Sequence, residues 1–334
     1  VFQTAISQAK AGNDLSANQT SELIDTMLQG DASEGDIGQL LLAIREKGEA
    51  VSELVGAAQA MRRHMTRIPH HHPLLLDTCG TGGSESGTFN ISTAVALVAA
   101  ACGIAVAKHG NRRATSLTGS ADVLEELGVG IESDADAVAN QLDAIGICFC
   151  FAPKLHPAMR HVVGVRRKLG VKTLFNLLGP LCNPAAATHQ LLGVSTAEDQ
   201  QKIAATIAQL GTIRSFVVHG SDGQDEVSLD GTTETIEVSG QQSRNHTWTP
   251  RDFGLLPVGR EALAADGPVE SAAIIRRILD GEPGPCRDTV LAGAAAALLL
   301  VGKSDSLQQA AELAAEAIDC GDAKEKLEAL RQFN

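Results

Sequence analysis

Asp77-Thr-Cys-Gly-Thr-Gly-Gly-Ser-Glu-Ser-Gly-Thr-Phe-Asn-Ile-Ser-Thr93 decides how the rest of the chain is read. A short apolar run, residues 74–76, precedes it, and an alanine-rich run, residues 94–101, follows, so the order is strand, glycine loop, helix. Gly80, Gly82 and Gly83 carry no side chain to hold an anion away from the backbone, and Asn90, Ser92 and Thr93 are residue types that start helices. The expectation is a cluster of free N–H groups at the positive end of a helix dipole, a natural seat for phosphate. An ordinary tight turn before a buried helix has the same glycines. It does not need Thr81, Ser84, Ser86 and Thr88 in the loop, nor Lys108, His109, Asn111, Arg112 and Arg113 soon after the helix.

Outward from that stretch the pattern alternates. Strands are expected at 74–78, 104–107, 147–151, 190–194, 215–219 and 235–238, with helices at 122–127, 134–145, 197–210, 269–279, 287–300 and 307–320. This is the signature of an α/β fold with a mostly parallel sheet flanked by helices, whose ligands bind beyond the carboxyl ends of the strands. Residues 1–70 carry helical periodicity alone and form a small all-helical N-terminal domain. Helices from about 155–190 interrupt the alternation and are expected to pack back on it, leaving 73–334 as the larger domain. His70, His71 and His72 before Pro73 read as a linker, since adjacent side chains on extended chain diverge.

Composition removes several function classes. Net charge is -13 over 334 residues, which opposes the counterion release that nucleic-acid binding uses. With one Trp, no Tyr and 3% aromatic residues, there is little on which bases could stack. No nucleic-acid partner is expected. The longest apolar runs fall short of the roughly 20 residues of a membrane span, so no membrane association is expected either. Seven cysteines without metal-like pairing read as buried thiols in a reducing compartment, and the chain as cytoplasmic.

Three further stretches carry chemistry. Lys108-His-Gly-Asn-Arg-Arg-Ala-Thr-Ser116 and Ser120 interleave cations with hydroxyls beside the glycine loop, as an anionic ligand requires. Asp225-Glu226 puts two carboxylates after a glycine turn at a strand end, a set suited to magnesium. His156, Arg160, His161, Arg166, Arg167 and Lys168 form a cationic segment in which Arg166 can grip a carboxylate bidentately. Nothing has the spacing of a covalent nucleophile.

Taken together these segments resemble the anthranilate phosphoribosyltransferases of tryptophan biosynthesis. The match runs through Asp77-x-x-Gly-Thr-Gly-Gly83, Thr88-Phe-Asn-Ile-Ser-Thr93, Lys108-His-Gly-Asn-Arg112, Gly119-Ser-Ala-Asp122, Phe151-Ala-Pro-Lys-x-His156, Phe175-Asn-x-Leu-Gly-Pro-Leu-x-Asn-Pro184 and Asp225-Glu-Val-Ser228. The resemblance implies a homodimer formed through the helical part, with anthranilate and 5-phosphoribosyl 1-pyrophosphate as substrates. It assigns the sugar donor to Gly80, Gly83, Ser84, Thr88, Asn90, Ile91, Ser92, Thr93, Lys108, His109, Gly110, Asn111, Arg112, Arg113, Ala114, Thr115, Ser116 and Ser120. It assigns anthranilate to Gly80, His109, Asn111, His156 and Arg166, two Mg2+ ions per subunit to Ser92, Asp225 and Glu226, and catalysis to Lys108, Asp225 and Glu226. Ser84, Arg113 and Gly293 depart from the family's usual Asp, small residue and Asn. Rival readings are a pyrimidine nucleoside phosphorylase and a non-catalytic regulator that binds a phosphorylated metabolite.

Overall fold

The computed structural model describes residues 1–82, 87–113 and 118–333. Four helices open the chain: α1 Phe2–Lys10, α2 Ala17–Gln29, α3 Glu34–Lys47 and α4 Val51–His64. Ser16 caps α2 through the Gln19 N–H while Gln19 returns the bond to the Ser16 N–H, a reciprocal box that fixes the start of the helix. Glu53 is wholly buried yet fully engaged. Its carboxylate accepts from the Leu15 N–H at 3.0 Å, the Ala50 N–H at 2.8 Å and Lys47 Nζ at 3.1 Å, tying the α1–α2 and α3–α4 junctions together.

The sheet has seven strands: β1 Leu76–Gly80, β2 Val106–Gly110, β3 Ile147–Phe151, β4 His189–Gly193, β5 Arg214–Gly220, β6 Thr233–Ser239 and β7 Gln242–Trp248. Their order is β3-β2-β1-β4-β5-β6-β7, parallel as far as β5 and antiparallel at the β6 and β7 edge. Strand order reverses between β1 and β4, the topological switch point at which such sheets take ligands. Between strands lie α5 Ile91–Ala101, α6 Ser120–Glu126, α7 Ala135–Ile145, the short α8 Ala152–Leu155, α9 Arg160–Leu169, α10 Phe175–Leu178 and α11 Ala197–Leu210. After β7 come α12 Pro268–Leu279, α13 Pro285–Leu300, α14 Leu307–Asp319 and α15 Asp322–Gln332.

Side chains alternate across the sheet and build a core on each face. Leu76, Val106, Phe149, Leu191, Phe216 and Val218 face the alanine-rich α5 and α13, whose small residues allow close approach. Leu192, Val194, Val217, Ile236 and Val238 face the other way, into one continuous core with α11 and the N-terminal bundle. Helix α9 lies across α2 and α3, with Lys168 Nζ bonded to Glu34 at 2.5 Å. His70, expected in a solvated linker, docks its Nε2 2.8 Å from the Ala185 carbonyl, and His72 faces Asp143 at 3.1 Å. All seven thiols are free; Cys79, Cys148, Cys150 and Cys182 are buried, but Cys320 is exposed.

Candidate active site

The motifs converge at the carboxyl ends of β1, β2, β4 and β5. Lys108, at the middle of β2, is buried and sends its ammonium between the strands to the Thr78 carbonyl at 2.6 Å and Ser92 Oγ at 3.2 Å. Ser92, in the first turn of α5, donates its N–H to Glu226 Oε1 at 3.1 Å. The 225–226 turn fits only because two strands end in glycine. A Cβ on Gly193 would stand 1.7 Å from the Asp225 carbonyl oxygen, and one on Gly80 would stand 2.9 Å from Asp225 Oδ2. Lys108, Ser92, Asp225 and Glu226, scattered over the chain, thus meet around one point.

The helix start differs from expectation in two respects. Asn90 occupies the N-cap position without a side-chain cap; its carboxamide oxygen accepts instead from Thr118 Oγ1 and from Ser271 Oγ at 3.0 Å. The first N–H groups of α5 are also not free. That of Ile91 goes to Phe89, that of Thr93 to Asn90 and that of Ser92 to Glu226, so a carboxylate occupies the anion-favouring spot predicted for phosphate. The side chains of Ile91 and Thr93 are buried in the core behind it. Thr88 forms an antiparallel bridge with Ala264, which stitches the far end of the glycine loop to the segment before α12.

Electrostatics follow from burial. Removal from water, and after it the neighbouring Asp225, push the Glu226 carboxyl up to about 8, while Lys108 and the Ser92 N–H hold it down. Burial lowers the Lys108 ammonium, opposed by Asp77, Cys79 and Glu226. Two adjacent acids and a hydroxyl present only oxygen donors, and their mutual repulsion is relieved by a hard divalent cation, so the set fits Mg2+. Among the described residues no group of three His, Cys, Asp or Glu could hold a metal alone, so a magnesium ion held here would need further oxygen ligands from phosphate or water.

Beside this point opens a cavity of about 380 Å³, lined by His109, Asn111, His156, Arg166, Phe175 and Gly179 among others. His109 bonds through Nδ1 to the Gly179 carbonyl at 3.0 Å, and its Nε2 lies 3.2 Å from that of His156. Because Nδ1 carries the proton given to Gly179, Nε2 of His109 is the acceptor and Nε2 of His156 the donor. Burial lowers His109 to about 4, and burial with the neighbouring His109 lowers His156 to about 3, so both rings are neutral at pH 7. The Arg166 guanidinium, depressed by burial, stacks over Phe175 at 5.4 Å and donates to Asn176 Oδ1 at 3.2 Å, with no carboxylate among its described partners.

The remaining predicted positions lie at the end of β2, which runs on through Lys108, His109 and Gly110 past the expected 104–107, and in the segment after it. Gly110 is pressed against Ser120, where a Cβ would lie 2.1 Å from Ser120 Oγ. Arg112 turns outward onto Asp122 and Glu125 and stacks on Phe151 at 5.5 Å, and the Arg113 N–H is bonded to Asp122 at 2.9 Å. Gly83, Ser84, Ala114, Thr115 and Ser116 lie outside the described residues. Sequence reasoning missed Asp77, Met61, Phe175 and the Gly179 carbonyl. Asp77 was the detectable one, being a lone charge inside an apolar strand.

Glycosyl transferase family domains account for nearly all of the chain: the a/b domain matches residues 72–324 and the helical bundle domain residues 3–65. An anthranilate phosphoribosyltransferase of Rhodopirellula baltica is 70% identical over 331 residues, 99% of this chain and 97% of the relative. The chain belongs to the anthranilate phosphoribosyltransferase family. The relative from Symbiobacterium thermophilum, with the same name, is 45% identical over 99% of this chain and 97% of its own. Among solved structures, the enzyme of Thermus thermophilus superposes with a TM-score of 0.92 at 42% identity, covering 98% of each chain. The Saccharomyces cerevisiae enzyme, solved in complex with PRPP and Mg, gives 0.90 at 28% identity over 99% of this chain and 98% of its own.

Proposed function

We propose that this chain transfers the phosphoribosyl group of 5-phosphoribosyl 1-pyrophosphate to the amino group of anthranilate, releasing pyrophosphate, in L-tryptophan biosynthesis. The observation that carries this reading is the adjacency of two unlike sites. One is the Lys108, Ser92, Asp225 and Glu226 cluster, suited to a metal-bearing diphosphate; the other is an apolar-walled cavity with Arg160 and Arg166 in its lining, suited to a small aromatic acid. The yeast relative has been solved with 4-fluoroanthranilate, which supports the second assignment.

Arg166 takes the acceptor's carboxylate through its guanidinium fork, and Phe175, Leu178, Met61 and Met159 enclose the ring. The amino group then faces the His109 and Asn111 end of the cavity. An aryl amine is neutral at pH 7 and keeps its lone pair, so no base is needed before attack. The neutral pair of histidines agrees with that, since the free lone pair of His109 is already occupied by His156. The nitrogen bonds to the anomeric carbon as the bond to pyrophosphate breaks, and the nitrogen sheds its extra proton afterwards. Bound at Ser92, Asp225 and Glu226, two Mg2+ ions would supply the positive charge that neutralises the departing group. Lys108 adds a fixed cation beneath it, and catalysis rests on positioning and charge stabilisation.

We also read the chain as a cytoplasmic homodimer joined through its helical part, residues 1–70 with helices from 155–190, against a donor-binding domain of 73–334. Sedimentation velocity at micromolar concentration tests the dimer. The activity is tested by mixing protein, anthranilate, sugar donor and magnesium and following anthranilate fluorescence. Loss of signal that requires all four components supports the assignment. Unchanged fluorescence, with phosphate-dependent cleavage of a pyrimidine nucleoside instead, overturns it.

A further inference from the structure

The two strands that carry the donor-binding loops are not joined to each other as their neighbours are. Strand β1 stays in register with β4 from Leu76–His189 through Gly80–Gly193, and β2 stays in register with β3 from Val106–Ile147 through Gly110–Phe151. Between β1 and β2 only Leu76 and Val106 are paired. One bond, from the Leu76 N–H to the Ala105 carbonyl at 2.9 Å, starts the ladder. In a regular parallel ladder the next rung would join Thr78 to the amide and carbonyl groups flanking Lys108.

Side chains take that rung's place. The His109 N–H goes to Asp77 Oδ1 at 3.0 Å, the Ala107 carbonyl accepts from Asn183 Nδ2 at 2.8 Å, and the Thr78 carbonyl accepts from Lys108 Nζ at 2.6 Å. Gln190 Nε2 reaches Asp77 Oδ2 at 3.4 Å and the Pro180 carbonyl at 2.7 Å. Asp77, Lys108, Asn183 and Gln190 are all buried. Buried backbone groups must be bonded to something, so these substitutions are what allow the strands to part without orphaned polar atoms.

We propose that Asp77 is a positioning residue for the transfer reaction: its carboxylate bridges the broken β1–β2 ladder by accepting the His109 N–H, which leaves the Thr78 carbonyl to the Lys108 ammonium and keeps that ammonium between the strands, aimed at Ser92. The inference rests on the activity proposed above. Asp77 touches neither substrate; it acts through Lys108 and through the His109 backbone, and so reaches the donor side. The isosteric Asp77→Asn keeps an oxygen for the His109 N–H, removes the charge, and sets an NH2 against Gln190 Nε2 where Oδ2 had accepted from it. Lys108 then sits buried with one counter-charge fewer, which weakens its hold on the diphosphate but leaves Arg166 and the aromatic cavity untouched.

The test compares wild type, Asp77→Asn, Lys108→Gln and the double variant, each by steady-state kinetics and by calorimetric titration with magnesium pyrophosphate. Asp77→Asn is expected to weaken pyrophosphate binding and lower kcat/KM for the donor by about 10-fold to 100-fold, as loss of a charge-assisted interaction does, with the anthranilate KM within about threefold of wild type. In the double variant, removal of the Asp77 charge should cost nothing beyond Lys108→Gln alone. If Asp77→Asn does not fold, the double variant, which removes both buried charges together, serves the same comparison against Lys108→Gln. Full donor kinetics in Asp77→Asn, an equal loss for both substrates, or additive losses in the double variant would each overturn the proposal. A wild type that binds magnesium pyrophosphate but does not consume anthranilate refutes the activity, while the titrations still judge Asp77.

Discussion

His109 and His156 show how burial decides what a residue can do. Both imidazoles are lowered in the fold, to about 4 and about 3, whereas in the unfolded chain they titrate near 6.5. Between those values the unfolded state binds more protons, so their stabilisation is complete above about pH 6.5 and is lost as pH falls toward 4. The shift corresponds to a loss on the order of 3 kcal/mol per ring, with the shared hydrogen bond making the two non-additive. Denaturant midpoints at pH 7.5 and 5.0 should show a smaller drop for His156→Gln than for wild type; equal drops would reject the neutral pair. Arg166 makes the second prediction at this scale. Arg166→Ala should raise the anthranilate KM about 10-fold to 100-fold, the weight of a charged hydrogen-bond pair, while the donor KM holds steady. Initial rates with each substrate varied in turn check it.

At the scale of elements, Gly293 explains itself once α13 is seen against α5. A Cβ there would stand 2.6 Å from Val95 Cγ2, so the unusual glycine in α13 is matched to a β-branched residue across the helix contact. Gly293→Asn should cost about 1–3 kcal/mol by overpacking, and Val95→Ala in the same chain should restore part of it, as read from urea midpoints. Strands β1 to β6 and helices α2 to α7 and α11 to α14 were legible because apolar runs or stripes mark each of them, whereas α8 to α10 were read only as one helix-like, cationic interruption. Strand β7, Gln242–Trp248, was not, since an exposed edge strand built of Gln, Ser, Arg, Asn, His and Thr has no apolar signature. Helix α15 was missed for the same reason: its polar face dominates a short sequence. Ser92, Lys108, Asp225 and Glu226, which the fold brings together in the candidate site, were legible because strand ends and the turns after them concentrate glycine, hydroxyls and charge. The gap between β1 and β2 was not, because a missing ladder rung depends on Asn183 and Gln190 arriving from far along the chain.

For the whole molecule, the central fact is the shared core. Leu23, Leu41, Leu54 and Met61 of the bundle lie in the same apolar cluster as Ile203, Ile207, Val217 and Ile236 of the α/β part. Calorimetry should therefore show no separate early transition for the bundle, and a fragment of residues 1–70 alone should lack cooperative unfolding, having lost most of what covers its apolar face. Two resolved transitions in the intact chain would contradict this.

Arg166 stands on a helix rooted in the bundle, whereas Asp225 and Glu226 hang from the sheet. With Arg166 holding the acceptor and Asp225 and Glu226 the metal-bound donor, as proposed above, the new carbon–nitrogen bond would form across the seam between bundle and sheet, each reactant held from its own side. The distance between nucleophile and electrophile is then a property of the global shape. Packing substitutions far from any ligand become a means of tuning turnover while leaving both binding constants in place.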